Sequence, residues 1–427
     1  MAHIGAFCPP ISGHLNPMAA LGRALQRRGH RVTLFQIPGM QKRIESEQLE
    51  FWPLGERSTD SAELTNAVAE LGRRSGLSAL RFALDCGRRL ASVICEYGSQ
   101  AARSAGIDLL IVDDNEPAGA SVAQRLDIPF VNLGLIPLHR EATVPPPFVP
   151  WYYRAGLLPS LRNQLAYTAF ELLISPIQTV INSYRSQWKL PRIHRPEDTL
   201  SRYAQLSQLI AELDLPRSRK PECLHYLGAL FDGSRPPVAF PYDRLNGKPL
   251  TYASLGTLQN NRPEYFRAII KACEPLDTQL VLSTGGSGAI DDLDVPSSVI
   301  AVPYAPQLEL LRRASLCVTH AGLNTVMECL RFAVPMVCIP ITNDQPAVAA
   351  RVRWTRAGEV VPVRKLSGVT LRAEVERVLN NAEYRRAACS LASAVQKAGG
   401  VERGADVISK VLNTAQRSPE LKKSATT

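Results

Sequence analysis

The alternation of short apolar strands with amphipathic helices constrains the fold of this chain more than any other feature. Residues 3–8 predict a strand, residues 17–28 a helix with apolar residues at helical spacing, and residues 31–36 a second strand. These three elements form one βαβ unit. The same alternation returns after residue 250, with strands predicted near 250–254, 279–283, 299–302, 316–319 and 336–340. The pattern predicts an α/β fold whose parallel sheets are covered by helices on both faces.

Chain length and one Pro-rich segment predict two domains. The chain has 427 residues, 45% of them hydrophobic, which exceeds the ~100–200 residues of a typical domain. Residues 231–249 are rich in Pro, Gly and Asp and precede a fresh strand, so we expect the interdomain linker there. The N-terminal domain is therefore predicted at 1–230, the C-terminal domain at 250–416, and a polar, disordered tail at 417–427.

Charge and cysteine usage narrow the functional classes. Lys and Arg number 49 against 39 Asp and Glu, which gives a net charge of +10. The basic residues are spread along the chain without a nucleic-acid-binding motif, so we expect no nucleic-acid partner. The charge better suits attraction to an anionic membrane surface. Nine scattered cysteines without CxxC spacing indicate buried thiols in a reducing compartment and no metal site.

The N-terminus and the apolar runs bear on localisation. The chain starts directly with a predicted strand and has no run of ~18 apolar residues that could span a bilayer. We therefore expect a cytoplasmic protein, in solution or peripheral on the cytosolic face of a membrane. We expect no resident cofactor.

A predicted helix start after the strand at 316–319 suits a diphosphate. His320 follows that strand, Gly322 lies in a short loop of small residues, and Asn324 and Thr325 open the helix. A helix N-terminus presents unpaired backbone N–H groups and the positive end of the helix dipole. His320 adds a side-chain donor.

Other polar side chains of the segment 304–345 suit the remaining parts of a nucleotide sugar. Tyr304 and Gln307 suit a base, and Glu328, one turn into the helix, could accept hydrogen bonds from ribose hydroxyls. Asp344 and Gln345 follow the strand at 336–340, at the same predicted sheet edge, and could bind sugar hydroxyls.

The first βα turn offers a candidate base. Residues 9–17, Pro-Pro-Ile-Ser-Gly-His-Leu-Asn-Pro, put His14 beyond the end of the first strand, where open α/β sheets bind ligands. Gly13 lets a substrate come close to the backbone. The alternative interpretation is that His14 only caps the following helix.

The segment 304–345 resembles the donor-binding signature of the UDP-glycosyltransferases. The matches are aromatic-x-Pro-Gln at 304–307, Thr-His-x-Gly-x-Asn-Thr at 319–325, Glu328, Val-Pro at 334–335 and Asp-Gln at 344–345. Tyr304 and Leu323 stand where the signature usually has Trp, and the gap from Tyr304 to His320 is two residues shorter. The resemblance implies two Rossmann-like domains whose parallel sheets face each other across a cleft (GT-B), and a metal-independent, inverting glycosyl transfer.

The resemblance also implies roles for residues outside that segment. Pro10, Gly13, His14 and Pro17 match a family motif in which the His deprotonates the acceptor, and Gly13 is assigned to donor contacts. The family takes the partner of this His from the end of a later strand, which favours Asp113 after residues 109–112. Asp114 is the competitor, because neighbouring side chains at a strand end point to opposite sides.

One further turn is expected to contact the diphosphate. The family uses a Gly-Ser or Gly-Thr turn at the end of the first C-terminal strand, which corresponds here to Ser254, Gly256 and Thr257. An ordinary tight turn is the alternative. The glycine-rich residues 284–288 lack phosphate-loop spacing, so we interpret them as a flexible loop. Asp292-Leu293-Asp294 is assigned no metal.

Segments at 112–145, 205–217 and 253–280 resemble bacterial zeaxanthin glucosyltransferases, a branch of the same family. This resemblance implies UDP-glucose as donor and a hydroxylated carotenoid as acceptor. Glu116, His139, Phe148 and Trp151 are the acceptor-contact candidates. Residues 144–174 mix Pro, aromatic and apolar residues, and three interpretations stay open: an apolar cleft, a membrane interface and ordinary core packing.

Three rival functions remain open at this level. One is the same transfer to another lipophilic acceptor, such as a polyketide, sterol or flavonoid, since fold does not dictate substrate. The others are a UDP-sugar epimerase and a UDP-sugar-binding protein without catalysis.

Overall fold

The computed structural model describes residues 1–74, 76–233, 237–257, 262–286 and 293–417. They form two parallel β-sheets with packed helices, so the predicted α/β class is correct. Strand β4 (Leu109–Asp113) shows why apolar runs give this architecture. Leu109 and Ile111 join the core on one face of the sheet, whereas Leu110 and Val112 join the core on the other. Successive side chains of a strand alternate, so a strand buried on both faces is apolar throughout.

The first sheet has seven strands in the order β3-β2-β1-β4-β5-β6-β7. Its other strands are β1 His3–Phe7, β2 Arg31–Gln36, β3 Glu50–Pro53, β5 Phe130–Gly134, β6 Gln205–Ser207 and β7 Leu224–Tyr226. Its helices are α1 Ser12–Arg27, α2 Gln41–Ser46, α3 Thr59–Arg73, α4 Gly76–Ala105, α5 Ala118–Leu126 and α6 Leu157–Gln187. Strand order reverses between β1 and β4, where Phe7 pairs with Val112. Open α/β sheets bind ligands at such a reversal.

The second sheet has six strands in the order β10-β9-β8-β11-β12-β13. They are β8 Leu250–Ser254, β9 Gln279–Ser283, β10 Ile300–Val302, β11 Ala314–Thr319, β12 Met336–Cys338 and β13 Gly358–Val360. The helices are α7 Pro263–Cys273, α8 Gln307–Leu311, α9 Leu323–Arg331, α10 Gln345–Trp354, α11 Gly368–Asn380, α12 Ala382–Ala398 and α13 Gly400–Arg417. The reversal lies between β8 and β11, where Ser254 pairs with Thr319.

Helix α13 and the buried Asp214 each connect the two halves of the chain. Helix α13 packs on α1, and its apolar residues belong to the first sheet's core although the helix closes the C-terminal part of the sequence. The buried Asp214 accepts hydrogen bonds from Arg351 Nη2 of α10 at 2.8 Å and from Arg217 Nε at 2.7 Å. The Asp214–Arg351 pair therefore connects the segment after β6 to the second sheet. The domain bounds stay a prediction.

Several predicted bounds are wrong by a few residues, and one error matters. Helix α1 begins at Ser12 and contains Pro17, whereas the sequence analysis started the helix at Pro17. His14 therefore lies in the first turn of a helix and not in a loop. Strand β12 ends at Cys338 and not at residue 340. The predicted tail lies outside the described residues from 418 onward, as do residues 234–236 of the predicted linker, and Arg417 is the last residue of α13.

Candidate active site

The first half of the site is a His–Asp pair at the reversal between β1 and β4. His14 extends from the first turn of α1, and Asp113 is the last residue of β4. His14 Nδ1 lies 2.8 Å from Asp113 Oδ2, and both residues are buried. Asp113 Oδ1 accepts a hydrogen bond from the backbone N–H of Asn115 at 2.9 Å. Both carboxylate oxygens are thus held, and Nε2 is the imidazole nitrogen left to face a substrate.

Asp114, the competitor for this place, points elsewhere. A Cβ added to Gly134 at the end of β5 would overlap Asp114 Oδ2, so this side chain occupies the space that the glycine leaves. The two neighbouring carboxyls therefore diverge, as period-two alternation at a strand end requires.

The electrostatic surroundings of His14 favour its protonated form. Burial alone lowers the pKa of His14, but the charge and hydrogen bond of Asp113, with smaller contributions from Asp344 and Asp114, outweigh it. The pKa of His14 is consequently raised above its ordinary value of 6.5. A raised pKa makes the neutral imidazole a stronger proton acceptor, and the cation that forms is stabilised by Asp113.

Two further carboxyls beside the pair have strongly raised pKa values. Burial, reinforced by the charge of Asp113, raises the pKa of Asp114 and of Glu116 to about 8 each. Both groups are therefore mostly protonated at neutral pH. The backbone N–H of Glu116 donates to the Asp113 carbonyl oxygen at 2.8 Å, which places this acceptor candidate next to the His14 pair, and its Oε1 accepts from the backbone N–H of Ala118 at 3.3 Å.

The second half of the site surrounds His320, which follows β11. A Cβ added to Gly322 would overlap the imidazole Nε2 of His320, and one on Gly256 would lie 2.8 Å from it. Gly256 also has a φ of +78°, a conformation that other residues rarely adopt. Burial lowers the pKa of His320 to about 4. His320 is therefore neutral at physiological pH.

The turn after β8 contributes the other donor candidates. Ser254 is buried, and its Oγ accepts from the backbone N–H of Gly256 at 3.3 Å. Thr257 is exposed at the carboxyl edge of the second sheet. Because Ser254 and Thr319 are paired, this turn and the loop after β11 lie side by side.

Asn324 of α9 bridges the two halves of the site. Its Nδ2 donates to the carbonyl oxygen of Gly13 at 3.1 Å. In an α-helix that carbonyl accepts from the residue four positions later, which here is Pro17 and has no N–H. Pro17 thus leaves an acceptor open in α1, and Asn324 fills it. Thr325, the next residue of α9, is buried.

Gln307, at the start of α8, is the centre of a polar cluster under the predicted base and ribose positions. Its Oε1 accepts from the Tyr252 hydroxyl at 3.0 Å, and its Nε2 donates to Glu328 Oε2 at 2.6 Å. Glu328 is buried. Tyr252 was not identified from the sequence, where it is one of several apolar-looking residues of a strand.

Tyr304 is half exposed, and its ring lies over a glycine turn. A Cβ on Gly286 would overlap the Tyr304 hydroxyl, and the Gly286 N–H donates to the Pro303 carbonyl at 3.0 Å. Residues 284–288 were predicted only as a flexible loop, and the approach of Tyr304 to Gly286 was not predicted. The Gly-Gly pair following β9 at the ligand-binding edge was the available signal. Residues 287–292, which include Asp292, lie outside the described residues.

The turn before α10 brings one further carboxyl to the His14 pair. Asp344 is the N-cap residue of α10; burial raises its pKa and the nearby His14 lowers it in part. Gln345 Oε1 accepts from the backbone N–H groups of Ile341 and Thr342 at 2.9 and 3.0 Å. The amide oxygen of Gln345 is thereby used to hold the loop.

The four acceptor candidates do not form one cluster. Glu116 lies at the His14 pair, whereas His139 Nε2 contacts Gln205 Oε1 at 2.5 Å. Phe148 and Trp151 instead line an apolar groove on α6. The four candidates thus lie in three separate places of the N-terminal half.

Metal-ligating clusters and bilayer-spanning helices are both absent from the parts of the chain that the structure describes. There, no group of three or more His, Cys, Asp or Glu side chains could hold a metal ion. Within the same ranges, no helix is long and apolar enough to cross a bilayer.

The matches to known protein families fall separately in the N-terminal and the C-terminal half of the chain. Residues 243–401 match the family model described as UDP-glucoronosyl and UDP-glucosyl transferase, and residues 12–107 match the glycosyltransferase family 28 N-terminal domain. A zeaxanthin glucosyltransferase from Pantoea ananas is 31% identical, with 97% of each chain covered. The chain belongs to the UDP-glycosyltransferase family. Another zeaxanthin glucosyltransferase, from Pseudescherichia vulneris, is 30% identical over 96% of this chain and 98% of its own.

Solved glycosyltransferase structures have the same GT-B fold. The calicheamicin glycosyltransferase CalG4 superposes with a TM-score of 0.74 at 21% identity, covering 97% of this chain and 99% of its own. The glycosyltransferase VinC, solved in complex with dTDP, gives 0.69 at 18% identity, with 98% and 100% covered. The predicted fold of two facing Rossmann-like domains and the prediction of a glycosyltransferase are confirmed. As a family member, the protein uses a nucleotide-sugar donor and an acceptor.

Proposed function

We propose that this glycosyltransferase moves glucose from UDP-glucose to a hydroxyl of a lipophilic acceptor, zeaxanthin or a related hydroxylated carotenoid, with inversion at the anomeric carbon. The observation that carries the proposal is the buried His14–Asp113 pair, 2.8 Å apart, at the strand reversal that adjoins Asp344 of the other domain. The choice of donor and acceptor is supported by the two relatives named zeaxanthin glucosyltransferase, which cover nearly the whole chain.

The reaction is a single displacement. His14 Nε2 takes the proton of the acceptor hydroxyl, and the oxygen forms a bond to the anomeric carbon from the face opposite the diphosphate. The bond from that carbon to the β-phosphate oxygen breaks, and its electron pair leaves with UDP. Asp113 stabilises the imidazolium and fixes Nδ1 as the protonated nitrogen. A hydroxyl is a weak nucleophile at neutral pH, which is why a base with a raised pKa is useful.

The departing UDP gains negative charge, and the second domain supplies donors for it. The N-terminus of α9 after Gly322 directs backbone N–H groups and the positive dipole end at the diphosphate. Neutral His320 and the Thr257 hydroxyl add side-chain hydrogen bonds. Because His320 has a pKa of about 4, its donor role does not change between pH 5 and 8.

Other residues would hold the remaining parts of the donor. We assign the base to Tyr304 and Gln307, the ribose hydroxyls to Glu328, and the glucose hydroxyls to Asp344 with Gln345. In the structure the side chain of Gln307 donates a hydrogen bond to Glu328 at 2.6 Å. On donor binding, hydroxyl groups of the ribose would replace Gln307 as donors to the Glu328 carboxylate. Ser254 and Gly256 shape the turn that faces the diphosphate.

The cysteines and the proposed acceptor support a cellular location for the protein. All nine cysteines, each within the described residues, are free, and six are buried, which suits a reducing cytoplasm. An acceptor dissolved in a bilayer would be met at the cytosolic face of the membrane.

Replacing the base tests the mechanism. General base catalysis contributes about 10²–10⁴-fold, so His14→Ala should lower kcat by that amount and leave the affinity for UDP unchanged. His194→Ala, which removes an exposed His, is the matched control and should keep full activity. Normal turnover by His14→Ala would sink the assignment.

An acceptor panel tests the substrate. The protein is incubated with UDP-glucose and zeaxanthin, a flavonol or no acceptor, and products are separated by chromatography and mass. A glucoside from zeaxanthin alone supports the proposal. A flavonol glucoside alone indicates a different lipophilic acceptor, and a new UDP-sugar without acceptor indicates an epimerase.

A further inference from the structure

Helix α6 presents a face of leucines to solvent. Leu157, Leu158, Leu161, Leu165 and Leu172 are all exposed, with fractions from 55% to 90% of their full surface. At about 100° per residue these five positions fall within an arc of about 100° on one side of the helix. Isolated exposed leucines are ordinary, but five on one stripe form a contiguous apolar surface.

The loop before α6 extends this surface with aromatic side chains. Phe148 and Trp151 join Leu158, Leu161 and Leu165 around an open groove of about 780 Å³. Phe148 stacks on Phe170 of α6, with ring centroids 4.0 Å apart. The groove therefore has an aromatic wall, and the exposed leucines stand along its edge.

The charged residues in the segment that carries most of this surface have one sign. Residues 142–170 contain two Arg, no Lys and no acidic residue. The Arg162 guanidinium lies 4.3 Å from the centre of the Trp151 ring, and Arg154 is exposed in the loop just before the helix. The nearest acid along α6, Glu171, is paired with Arg140 at 2.9 Å. Leucines and a Trp with flanking arginines match the boundary between acyl chains and anionic headgroups.

The surface adjoins the second domain at the end of α10. Tyr152 Oη accepts from Arg353 Nη1 at 2.9 Å, and the Tyr153 ring packs against Trp354 at 5.1 Å. Helix α10 has 10 residues and begins beside Asp344. At about 1.5 Å per residue, the aromatic loop is about 15 Å along this helix from the site.

We propose that the leucine face of α6, together with the loop at Phe148–Trp151, docks the protein on an anionic lipid bilayer. The leucines enter the boundary between headgroups and acyl chains, and Arg154 and Arg162 contact lipid phosphates. This inference rests on the proposed function, because the purpose of docking would be to bring the active site to an acceptor dissolved in the bilayer.

Vesicle co-sedimentation of the full chain tests the docking without any turnover. We expect binding to vesicles of phosphatidylglycerol and phosphatidylcholine, and binding at least about tenfold weaker to phosphatidylcholine alone or at high salt. The double variant Leu157→Ser/Leu172→Ser should lose at least about tenfold in partitioning. Neither residue lines the groove. Val369→Ser, at an equally exposed apolar residue of α11, is the matched control and should bind like the wild type.

Three results would overturn the docking proposal. They are no sedimentation of the wild type with either vesicle, unchanged binding by the double variant, and a solution dimer that this variant makes monomeric. The last result would make the face a subunit interface. UDP affinity, measured by calorimetry, confirms that the variant is folded. Glucosylation of dispersed zeaxanthin without vesicle binding would refute docking alone, whereas vesicle binding without any glucoside would refute the proposed function alone.

Discussion

The contact between Asn324 and Gly13 predicts that Pro17 lowers the stability of the protein but raises its activity. Pro17 removes the N–H that would occupy the Gly13 carbonyl within α1, and Asn324 of the other domain uses that carbonyl at 3.1 Å. Pro17→Ala restores the N–H, so the carbonyl returns to the helix and turns away from Asn324. Asn324→Ala removes the same contact from the other side. Each variant should therefore loosen the closure of the two domains around His14.

The magnitudes follow from the two interactions involved. A neutral amide-to-carbonyl hydrogen bond contributes about 0.5–1.5 kcal/mol, which corresponds to about a 2- to 13-fold loss in kcat/KM. Alanine is favoured over proline in a helix interior by about 3 kcal/mol. Pro17→Ala should thus raise the unfolding midpoint while it lowers kcat/KM. The double variant should lose no more than the larger single loss, because one contact is shared.

Steady-state kinetics and calorimetry measure these effects. The acceptor is the one that the panel identifies, and kcat/KM, the affinity for UDP and the unfolding midpoint are determined for the four proteins of the cycle. The affinity for UDP should stay unchanged in Pro17→Ala, since Pro17 belongs to the other domain. Pro176→Ala is the matched control: Pro176 also lies inside a helix, so the midpoint should rise without a loss of activity.

Additive losses in the double variant would refute this reasoning, because they would mean that the two residues act separately. An Asn324→Ala variant with full kcat/KM would refute it as well. A fall in the unfolding midpoint of Pro17→Ala would show that the helix needs the proline for another reason.

Three further outcomes are expected. Neutral His14 is the active form, so kcat/KM should rise with pH through a pKa above 6.5. Asp113→Asn should shift this rise to lower pH and lower the plateau value of kcat/KM. A rise at unchanged pH in Asp113→Asn would contradict the pairing of His14 with Asp113. Gly322→Ala should displace His320 and weaken UDP binding by about 10- to 150-fold, measured by calorimetry, with unchanged affinity as the contrary result. Asp214→Asn should lower the unfolding free energy by about 3 kcal/mol at pH 7, because it leaves buried guanidinium groups unpaired. Burial opposes ionisation of Asp214, but its Arg partners hold its pKa at about 2. The difference in unfolding free energy between wild type and Asp214→Asn should therefore persist down to about pH 4 and vanish as the pH falls toward 2. Chemical denaturation at a series of pH values measures it.

The placement of several donor candidates in the fold could be predicted because it is local in sequence. His320, Gly322 and Glu328 lie on one strand, turn and helix, and the strand–helix pattern alone fixes their edge of the sheet. Asp113 was favoured over Asp114 mainly because it occupies the family's position, whereas alternation at a strand end only predicts that the two side chains point to opposite sides.

The start of α1 could not be predicted, because the reason lies far along the chain. Proline is common at the first position of a helix, so Pro17 suggested a start there. The structure tolerates it one turn later, with its unpaired acceptor satisfied by Asn324, 311 positions away. The Tyr304–Gly286 approach and the Asp214–Arg351 pair were missed for the same reason, since both depend on tertiary packing.

The packing of α13 on α1 affects how the chain matures at the ribosome. Helix α1, which carries His14, is synthesised long before the residues of α13 that pack against its apolar face, such as Ile408. Helix α1 therefore stays partly uncovered while both sheets are being synthesised. Hybrid enzymes that exchange acceptor domains should accordingly take residues 400–417 from the same parent as α1.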